Sequence, residues 1–259
     1  MSDTYKLHIG TSPLLISVPH DGWQIPTEIV QYMSGAGRAI PDTDWHVAEL
    51  YDFARARGAS MLVANYSRYV IDLNRPADDA ALYADQPASG LCPLQTFAGA
   101  EIYLDPIDID HAGRIATYWR PYHEQLARTL GQLRAQHGYA LLWDAHSIAS
   151  RVPQLFAGEL PALNIGTWDG RSCAAPLAAA VTAAARQSDY DVVRDGRFKG
   201  GYITRHYGAP DNNIHAVQLE LAQRTYMHEV TLAYDRDKAA KLRATLTAML
   251  DAYEEAARR

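Results

Sequence analysis

Residues 14–22 read LLISVPHDG, an apolar run that stops at Val18 and is followed at once by proline, histidine, aspartate and glycine. Residues 139–147, YALLWDAHS, repeat this order, with a second apolar run that leads into a histidine. Short continuous apolar runs are typical of strands that are buried on both faces of a parallel sheet. The two stretches therefore predict buried strands with polar residues at their carboxyl ends.

The rest of the chain continues the same alternation of short apolar and longer amphipathic stretches. Strands are predicted at 14–18, 60–64, 69–73, 140–144, 162–166 and 215–221. Helices are predicted at 27–34, 43–57, 112–137, 176–187 and 237–257. This alternation is typical of an α/β fold. We expect a mixed, largely parallel central sheet flanked by helices, in one domain over residues 1–259.

One long stretch has little periodicity. Residues 77–106 contain five Asp or Glu, three Pro and two Gly. A loop of this length in a compact domain is usually either functional or disordered. We expect residues 77–106 to form a lid or substrate loop.

The composition excludes several classes of protein. With 48% apolar residues among 259, the chain is not intrinsically disordered. Its two cysteines, Cys92 and Cys173, are too few for a disulfide framework.

A net charge of -6 without a Lys/Arg cluster argues against nucleic acid or an anionic membrane as a partner. The first ten residues hold no apolar signal stretch, so we expect a cytoplasmic protein. The oligomeric state is not determined.

Two histidines occupy matched positions. His20 and His146 each follow an apolar run that predicts a strand. Ligands of α/β sheets collect beyond the carboxyl ends of the strands, although a single histidine there is commonly a loop or capping residue. By contrast, His123 lies within the helix predicted at 112–137, where a surface position is favoured.

An acidic stretch offers a third metal ligand. In PDTDWHVAELYDFAR (41–55), Asp44 falls in the first turn of the helix predicted at 43–57. The helix dipole keeps a carboxylate ionised there, ready to bind a cation, although capping is an equally good explanation. Glu49 is the rival candidate, more than one turn further along, and we favour Asp44.

Two further positions suit substrate binding and proton transfer. Asn74 and Arg75 end the DLNR sequence (72–75), where an amide and a planar guanidinium can hold a carboxylate. Glu220 alternates with apolar residues in the strand predicted at 215–221. Burial there raises a carboxyl pKa toward the range useful for a general base. A structural ion pair is the alternative explanation for both positions.

Six sequences taken together carry a resemblance. They are SVPHDG (17–22), DTDWHVAELYDFAR (42–55), YVIDLNRP (69–76), WDAHS (143–147), GGYITRHYG (200–208) and QLELAQRTYM (218–227). In this order, over residues 13–227, the chain resembles the N-formylglutamate amidohydrolase family. DLNR is also similar to the tetrapeptide of aspartoacylase and succinylglutamate desuccinylase, which have the zinc exopeptidase architecture. Those enzymes place a glutamate three residues after the first histidine, where this chain has Trp23.

The resemblance implies a fold, a reaction and a set of site residues. The fold would be zinc-exopeptidase-like, and the reaction would be hydrolysis of N-formyl-L-glutamate to formate and L-glutamate in histidine degradation. The cofactor would be a divalent metal, with zinc favoured and cobalt, manganese and iron left open. The residues implied are His20, Asp44 and His146 as metal ligands, Glu220 as general base, and Asn74 and Arg75 as substrate-binding residues. Because the substrate has two carboxylates, we expect a second arginine to bind it. The candidates are Arg68, Arg205 and Arg224, and Arg205 is favoured because it follows the paired glycines 200 and 201.

The partner implied is a small molecule with carboxylates, and three alternatives stay open. The chain could remove another acyl group from an amino acid, or act as a peptidoglycan amidase. A non-enzymatic amino-acid-binding module on a hydrolase scaffold is the third alternative. Bound metal together with formate release would exclude the binding module.

Overall fold

The computed structural model describes residues 4–82 and 89–258. Within them, a seven-stranded sheet has the strand order β1-β3-β2-β4-β7-β5-β6. Its strands are β1 (Tyr5–His8), β2 (Leu14–Val18), β3 (Ser60–Ala64), β4 (Ala140–Ile148), β5 (Leu163–Gly166), β6 (Val192–Arg194) and β7 (Ile214–Ala222). The four strands β3, β2, β4 and β7 run parallel, whereas β1 and β5 pair antiparallel with β3 and β7. This sheet confirms the predicted mixed, largely parallel α/β fold.

Helices cover both faces of the sheet. They are α1 (Thr27–Val30), α2 (Gly35–Arg38), α3 (Val47–Leu50), α4 (Phe53–Ala56), α5 (His111–Arg114), α6 (Arg120–His137), α7 (Ala175–Ala185), α8 (Tyr202–Tyr207) and α9 (Arg236–Ala257). A π-helical segment, Ile115–Trp119, joins α5 to α6. Apolar residues of α7 and α9 pack in the cluster on one face of the sheet, and those of α6 pack in the cluster on the other. A separate two-stranded ladder joins β8 (Met227–His228) to β9 (Ala233–Tyr234).

The pleat of β4 determines which side chains can meet. Leu141 and Trp143 belong to the core cluster that contains α7 and α9, whereas Leu142 belongs to the cluster on the α6 face. Since successive side chains of a strand point to opposite faces, Asp144 and His146 share the α6 face with Leu142. The parallel register pairs Asp144 with Gln218 and His146 with Glu220, so these four polar side chains lie together on one face.

The strand predicted at 69–73 is wrong. Residues 69–73 are buried, but they form turns between β3 and α5 instead of joining the sheet. The backbone N–H of Asp72 donates to the carbonyl of Leu91, and its carboxylate accepts from the backbone N–H of Asn74. The apolar run correctly indicated burial. It contained no information about which backbone groups would be hydrogen-bonded.

The helix predicted at 43–57 is also wrong as one continuous element. The segment is divided into the two short helices α3 and α4. His46, the residue before α3, has a left-handed backbone conformation with a φ of 63°. Asp44 therefore lies in the turn ahead of the helix and not in its first turn. Its backbone N–H donates to the carbonyl of His20, which holds the two residues side by side.

The remaining predicted elements agree with the structure to different degrees. The helices predicted at 112–137, 176–187 and 237–257 are confirmed, the first with the π-helical segment included. The helix predicted at 27–34 ends at Val30. Strands β1, β6, β8 and β9 and helices α2 and α8 were not predicted.

The proposed lid falls partly outside the described residues. Residues 77–82 and 89–106 form turns and isolated bridges, and residues 83–88 lie outside the described part of the chain. The lid role stays a prediction. In the part of the chain that the structure covers, each helix is too short or too polar to cross a bilayer.

Candidate active site

Three side chains from distant parts of the chain meet beyond β2 and beside β4. His20, Asp44 and His146 are all buried, and one potential ligand atom from each lies within 4.8 Å of the others. Asp44 Oδ2 is 3.1 Å from His146 Nδ1 and 3.7 Å from His20 Nδ1. His146 was predicted to follow the end of a strand. It lies within β4 instead, because this strand continues to Ile148.

The Nε2 atom of each imidazole lies close to other polar side chains. His20 Nε2 is 2.7 Å from Asp72 Oδ1. His146 Nε2 is 3.2 Å from Asp144 Oδ1 and 3.0 Å from Asn74 Nδ2. Metal-binding histidines usually have such a partner on the second ring nitrogen, which orients the first toward the ion. Both Nδ1 atoms are thereby directed toward Asp44.

The donor set fits a divalent cation. Among the described residues, His20 Nδ1 is buried and has no hydrogen-bond partner. A buried polar atom without a partner is costly, and a cation between the three side chains would satisfy it. Two imidazole nitrogens and one carboxylate are a common set of protein ligands for zinc and related metals.

The electrostatics of the three residues favour positive charge between them. Burial raises the pKa of Asp44, but the hydrogen bond with His146 and the nearby charge of His146 and His20 outweigh it and lower that pKa well below its usual range. Burial lowers the pKa of His146, but Asp144 and Asp44 outweigh it and raise that pKa well above its usual value. A proton on His146 therefore occupies a position that a metal ion would take over, since metal binding displaces protons from its ligands.

Glu49, the rival of Asp44, points elsewhere. Its side chain is 58% exposed, and its Oε2 is 3.9 Å from His46 Nδ1. The backbone carbonyl of Glu49 accepts from Arg243 of α9. The geometry therefore groups Asp44 with the histidines, and its coordination of a metal stays a prediction.

Glu220 lies beside this cluster on β7. Its carboxyl group lines the same cavity as His20, Asp44 and His146, together with Gln218 from the same face of the strand. Burial raises the pKa of Glu220 to about 8. A buried carboxyl group with a pKa near neutrality is suited to accept and return a proton.

The cavity has a volume of about 280 Å³, and arginines contribute to its lining. Arg75 donates from Nη1 to the Asn74 carbonyl at 3.2 Å and from Nη2 to Ser89 Oγ at 3.4 Å. Its Nε is buried and, within the described ranges, has no hydrogen-bond partner. Arg75 thus combines a position at the cavity with unused hydrogen-bonding capacity.

Arg68 and Arg205 differ from Arg75 in what they contact. Arg68 lines the cavity but donates to Asp72 at 2.7 Å and lies 3.7 Å from Asp44, so two buried carboxylates neutralise it. Arg205 donates to the backbone carbonyls of Gly200 and Leu82. Among the described residues that line the cavity are Asn74, Arg75 and Arg68, and Arg205 is not one of them. Substrate binding by these four residues stays a prediction.

Gly201 explains part of the GGYITRHYG sequence. A Cβ atom at this position would lie 2.3 Å from Asn74 Nδ2, so any larger residue would displace the Asn74 side chain. The backbone N–H of Gly201 donates to Gln218, and that of Ile203 donates to Asn74 Oδ1. The glycine thus allows the chain to fix Asn74 against His146.

Sequence reasoning missed the group that holds the DLNR segment. His123 is 4% exposed, so its predicted surface position is wrong. Its Nε2 lies 2.9 Å from the Leu73 carbonyl, and Trp119 Nε1 donates to the Arg75 carbonyl at 2.9 Å. Burial lowers the pKa of His123 to about 3, so the ring is neutral. The signal available in the sequence was the spacing of Trp119 and His123, four residues apart on one helical face.

Arg197 is a second residue that the sequence did not single out. It lies in the turn after β6, lines the cavity, and donates from Nε to the Leu155 carbonyl at 2.8 Å. Phe198 and Leu155 line the same cavity wall.

Comparison with known proteins decides the family. A family model described as N-formylglutamate amidohydrolase matches residues 12–227. The chain belongs to the N-formylglutamate amidohydrolase family. The range that matches the family contains His20, Asp44, His146 and Glu220.

The chain is similar over nearly its whole length to individual known proteins. It is 48% identical to an N-formylglutamate deformylase of Pseudomonas putida over 257 residues, 97% of this chain and 96% of that protein. It is 47% identical to an N-formylglutamate deformylase of Pseudomonas aeruginosa, with the same coverage. A crystal structure of N-formylglutamate amidohydrolase from Ralstonia eutropha JMP134 has a TM-score of 0.83 at 24% identity, covering 96% of this chain and 97% of that one. A gene product of Agrobacterium tumefaciens has the same fold, with a TM-score of 0.76 at 17% identity over 97% of this chain and 95% of that one.

Proposed function

We propose that this chain hydrolyses N-formyl-L-glutamate to formate and L-glutamate with the help of a divalent metal, zinc in the first place. The observation that carries the proposal is the buried His20–Asp44–His146 cluster, which faces one cavity with Glu220 and Arg75. Two relatives with nearly half of their residues identical are named N-formylglutamate deformylase. A place in histidine degradation and in the cytoplasm stays a prediction from the sequence.

His20, Asp44 and His146 would hold the cation. When bound, such an ion acts as a Lewis acid that polarises the formyl carbonyl and makes water a better nucleophile at neutral pH. Asp72 and Asn74 keep the two imidazoles in the orientation that binding requires. Two neutral imidazoles and one carboxylate around a divalent cation would leave a net charge of about +1, which preserves its Lewis acidity.

Glu220 would move the proton. Its carboxylate accepts a proton from the attacking water as the new C–O bond forms at the formyl carbon. The same carboxyl group then donates that proton to the amide nitrogen as the C–N bond breaks, which releases formate and the amine of glutamate. Burial raises the pKa of Glu220 toward neutrality, and a bound cation beside it would favour the ionised form that accepts the first proton.

Arg75 would hold a carboxylate of the substrate through its planar guanidinium. Asn74 is already in contact with His146 and with the backbone of Ile203. In this proposal Asn74 places Arg75 next to the metal ligands. The substrate carboxylate that Arg75 binds would then position the scissile amide beside those ligands.

The test is metal analysis together with formate release. The purified protein is stripped with a chelator, reloaded separately with zinc, cobalt, manganese or iron, and assayed on N-formylglutamate, N-formylaspartate and N-succinylglutamate. We expect about one ion per chain and the fastest turnover on N-formylglutamate. Rapid release of succinate in place of formate would indicate a different deacylase. Full activity of the metal-free protein would overturn the metal assignment.

A further inference from the structure

Gln218 is a buried polar residue of β7 that has no role in the mechanism proposed above. It is 4% exposed and lines the same cavity as Glu220. Its Oε1 accepts from the backbone N–H of Gly201 at 2.6 Å. A backbone N–H can only donate, so the oxygen of the amide must face Gly201 and the nitrogen must face away from it. The contact with Gly201 therefore fixes the orientation of the side chain.

Within the described part of the chain, Nε2 of Gln218 is an unused hydrogen-bond donor. It carries two N–H groups, and none of the described residues accepts a hydrogen bond from either. Leaving a buried amide N–H without an acceptor is costly, and such groups in native proteins are nearly always satisfied. Because the side chain lines the cavity, a molecule bound there can supply the acceptor.

The pleat of β7 sets the spacing between Gln218 and Glu220. The two residues are two positions apart, so their side chains point to the same face and their Cα atoms are about 6.6 Å apart. In the proposed mechanism, Glu220 donates a proton to the amide nitrogen of the substrate. The α-carboxylate of the substrate begins two bonds from that nitrogen. With hydrogen bonds of about 3 Å, the two side chains can therefore contact the nitrogen and the α-carboxylate of one molecule.

The contacts of Gly201 connect Gln218 with the proposed carboxylate-binding residues. Gly201 packs directly against Asn74, because a Cβ atom at residue 201 would overlap with the Asn74 side-chain amide. Nδ2 of Asn74 is 3.0 Å from Nε2 of His146. Arg75, the next residue, lines the cavity together with Gln218. Gln218 is thus joined through one glycine to the segment that carries Arg75.

We infer that Gln218 donates a hydrogen bond from Nε2 to the α-carboxylate of the substrate, which Arg75 also binds. The inference rests on the proposed function. Two other acceptors of the substrate fit less well. The formyl oxygen is the atom that the cation polarises in that function, and the side-chain carboxylate begins four bonds from the scissile nitrogen. Hydrogen bonds to a charged acceptor are stronger than those between neutral groups, so this one contributes to substrate selection.

The experiment compares two substrates that differ in one group. N-formyl-4-aminobutyrate keeps the formamide and the terminal carboxylate of N-formyl-L-glutamate and lacks the α-carboxylate. Formate release from both is measured for the metal-loaded wild type, Gln218→Met and Gln218→Glu. Methionine removes both the donor and the oxygen acceptor, whereas glutamate keeps an oxygen for Gly201 and replaces the donor by a second oxygen. The same two substitutions at Gln187, an exposed residue after α7, are the matched controls.

The quantity compared is kcat/KM on N-formylglutamate divided by kcat/KM on N-formyl-4-aminobutyrate. In both Gln218 variants we expect this ratio to fall about 10-fold or more, because a hydrogen bond to a charged group is lost. An effect of Gln218→Glu on the proton transfer by Glu220 cancels in the ratio, because the two substrates share the scissile amide. The Gln187 variants should keep the wild-type ratio.

Three outcomes would overturn the inference. The first is an unchanged ratio in both variants. The second is a fall in Gln218→Met alone, which would show that only the contact with Gly201 matters. The third is a fall in Gln218→Glu alone, which would reflect repulsion between charges and not a lost donor.

Two substitutes keep the comparison decisive. If Gln218→Met does not fold, Gln218→Ala takes its place under the same criteria, because water can then bind to the Gly201 N–H. If N-formyl-4-aminobutyrate turns over too slowly to follow, the reciprocal of its inhibition constant against N-formylglutamate replaces its kcat/KM. A wild-type protein that releases no formate from N-formylglutamate would instead refute the proposed function.

Discussion

Glu220 should make the metal-free protein lose stability as the pH rises. Burial raises its pKa from 4.5, the value expected for an unfolded chain, to about 8 in the fold. Between these two values the folded protein keeps a proton that the unfolded chain has released. The free energy of unfolding therefore falls with increasing pH, by about 1.4 kcal/mol per pH unit from this group. The contribution is complete below pH 4.5 and lost as the pH passes through about 8.

The substitution Glu220→Gln removes this titration and keeps the size of the side chain. From about pH 6 to about pH 7.5, the stability of wild type should fall by about 2 kcal/mol relative to that of the variant. Urea unfolding followed by circular dichroism, with a chelator present, measures both curves. Glu28→Gln is the control, because Glu28 is exposed on α1 and its removal should leave the slope unchanged.

Parallel curves for wild type and Glu220→Gln would refute the reasoning, since they would mean that the carboxyl group titrates alike in the folded and unfolded chain. Loading with zinc provides an internal check. A divalent cation beside the carboxyl group favours its ionised form. The slope attributed to Glu220 should therefore be shallower in the zinc-loaded protein than in the metal-free one.

The remaining predictions concern metal binding and turnover. Replacing His20 or His146 by Ala should abolish metal binding measured by elemental analysis, with His228→Ala, whose side chain is 57% exposed, as the control; full occupancy in both variants would remove the ligand assignment. Zinc-loaded Glu220→Gln should retain its metal but release formate at least about 100-fold more slowly, and near-normal turnover would leave Glu220 a structural role. Trp119→Phe removes the donor to the Arg75 carbonyl, so KM should rise about 2- to 12-fold with little change in melting temperature. That rise should vanish in an Arg75→Ala background, and its persistence there would show that Trp119 acts through other contacts.

The amino-acid sequence by itself determined the strands that build the central sheet. The continuous apolar runs at 14–18, 60–64 and 140–144 reflect strands that are buried on both faces. The alternation at 215–221 reflects the pleat, because successive side chains of a strand point to opposite faces. The same alternation placed Glu220 on the face of β7 that it occupies in the fold. The order of the six sequences also pointed to the family that the comparisons confirm.

Only the tertiary structure decided how the site is assembled. Asp44 lies beside His20 because a turn, and not a helix, carries it there. The buried segment 69–73 forms no strand, since its backbone N–H groups donate to the carbonyls of Ser67 and Leu91. Its carbonyls accept from the side chains of Tyr103, Arg114 and His123. Arg197 reaches the cavity through a hydrogen bond to Leu155, 42 residues away. Such contacts join residues far apart in the chain, and local periodicity contains no information about them because it reports only on neighbours within one element.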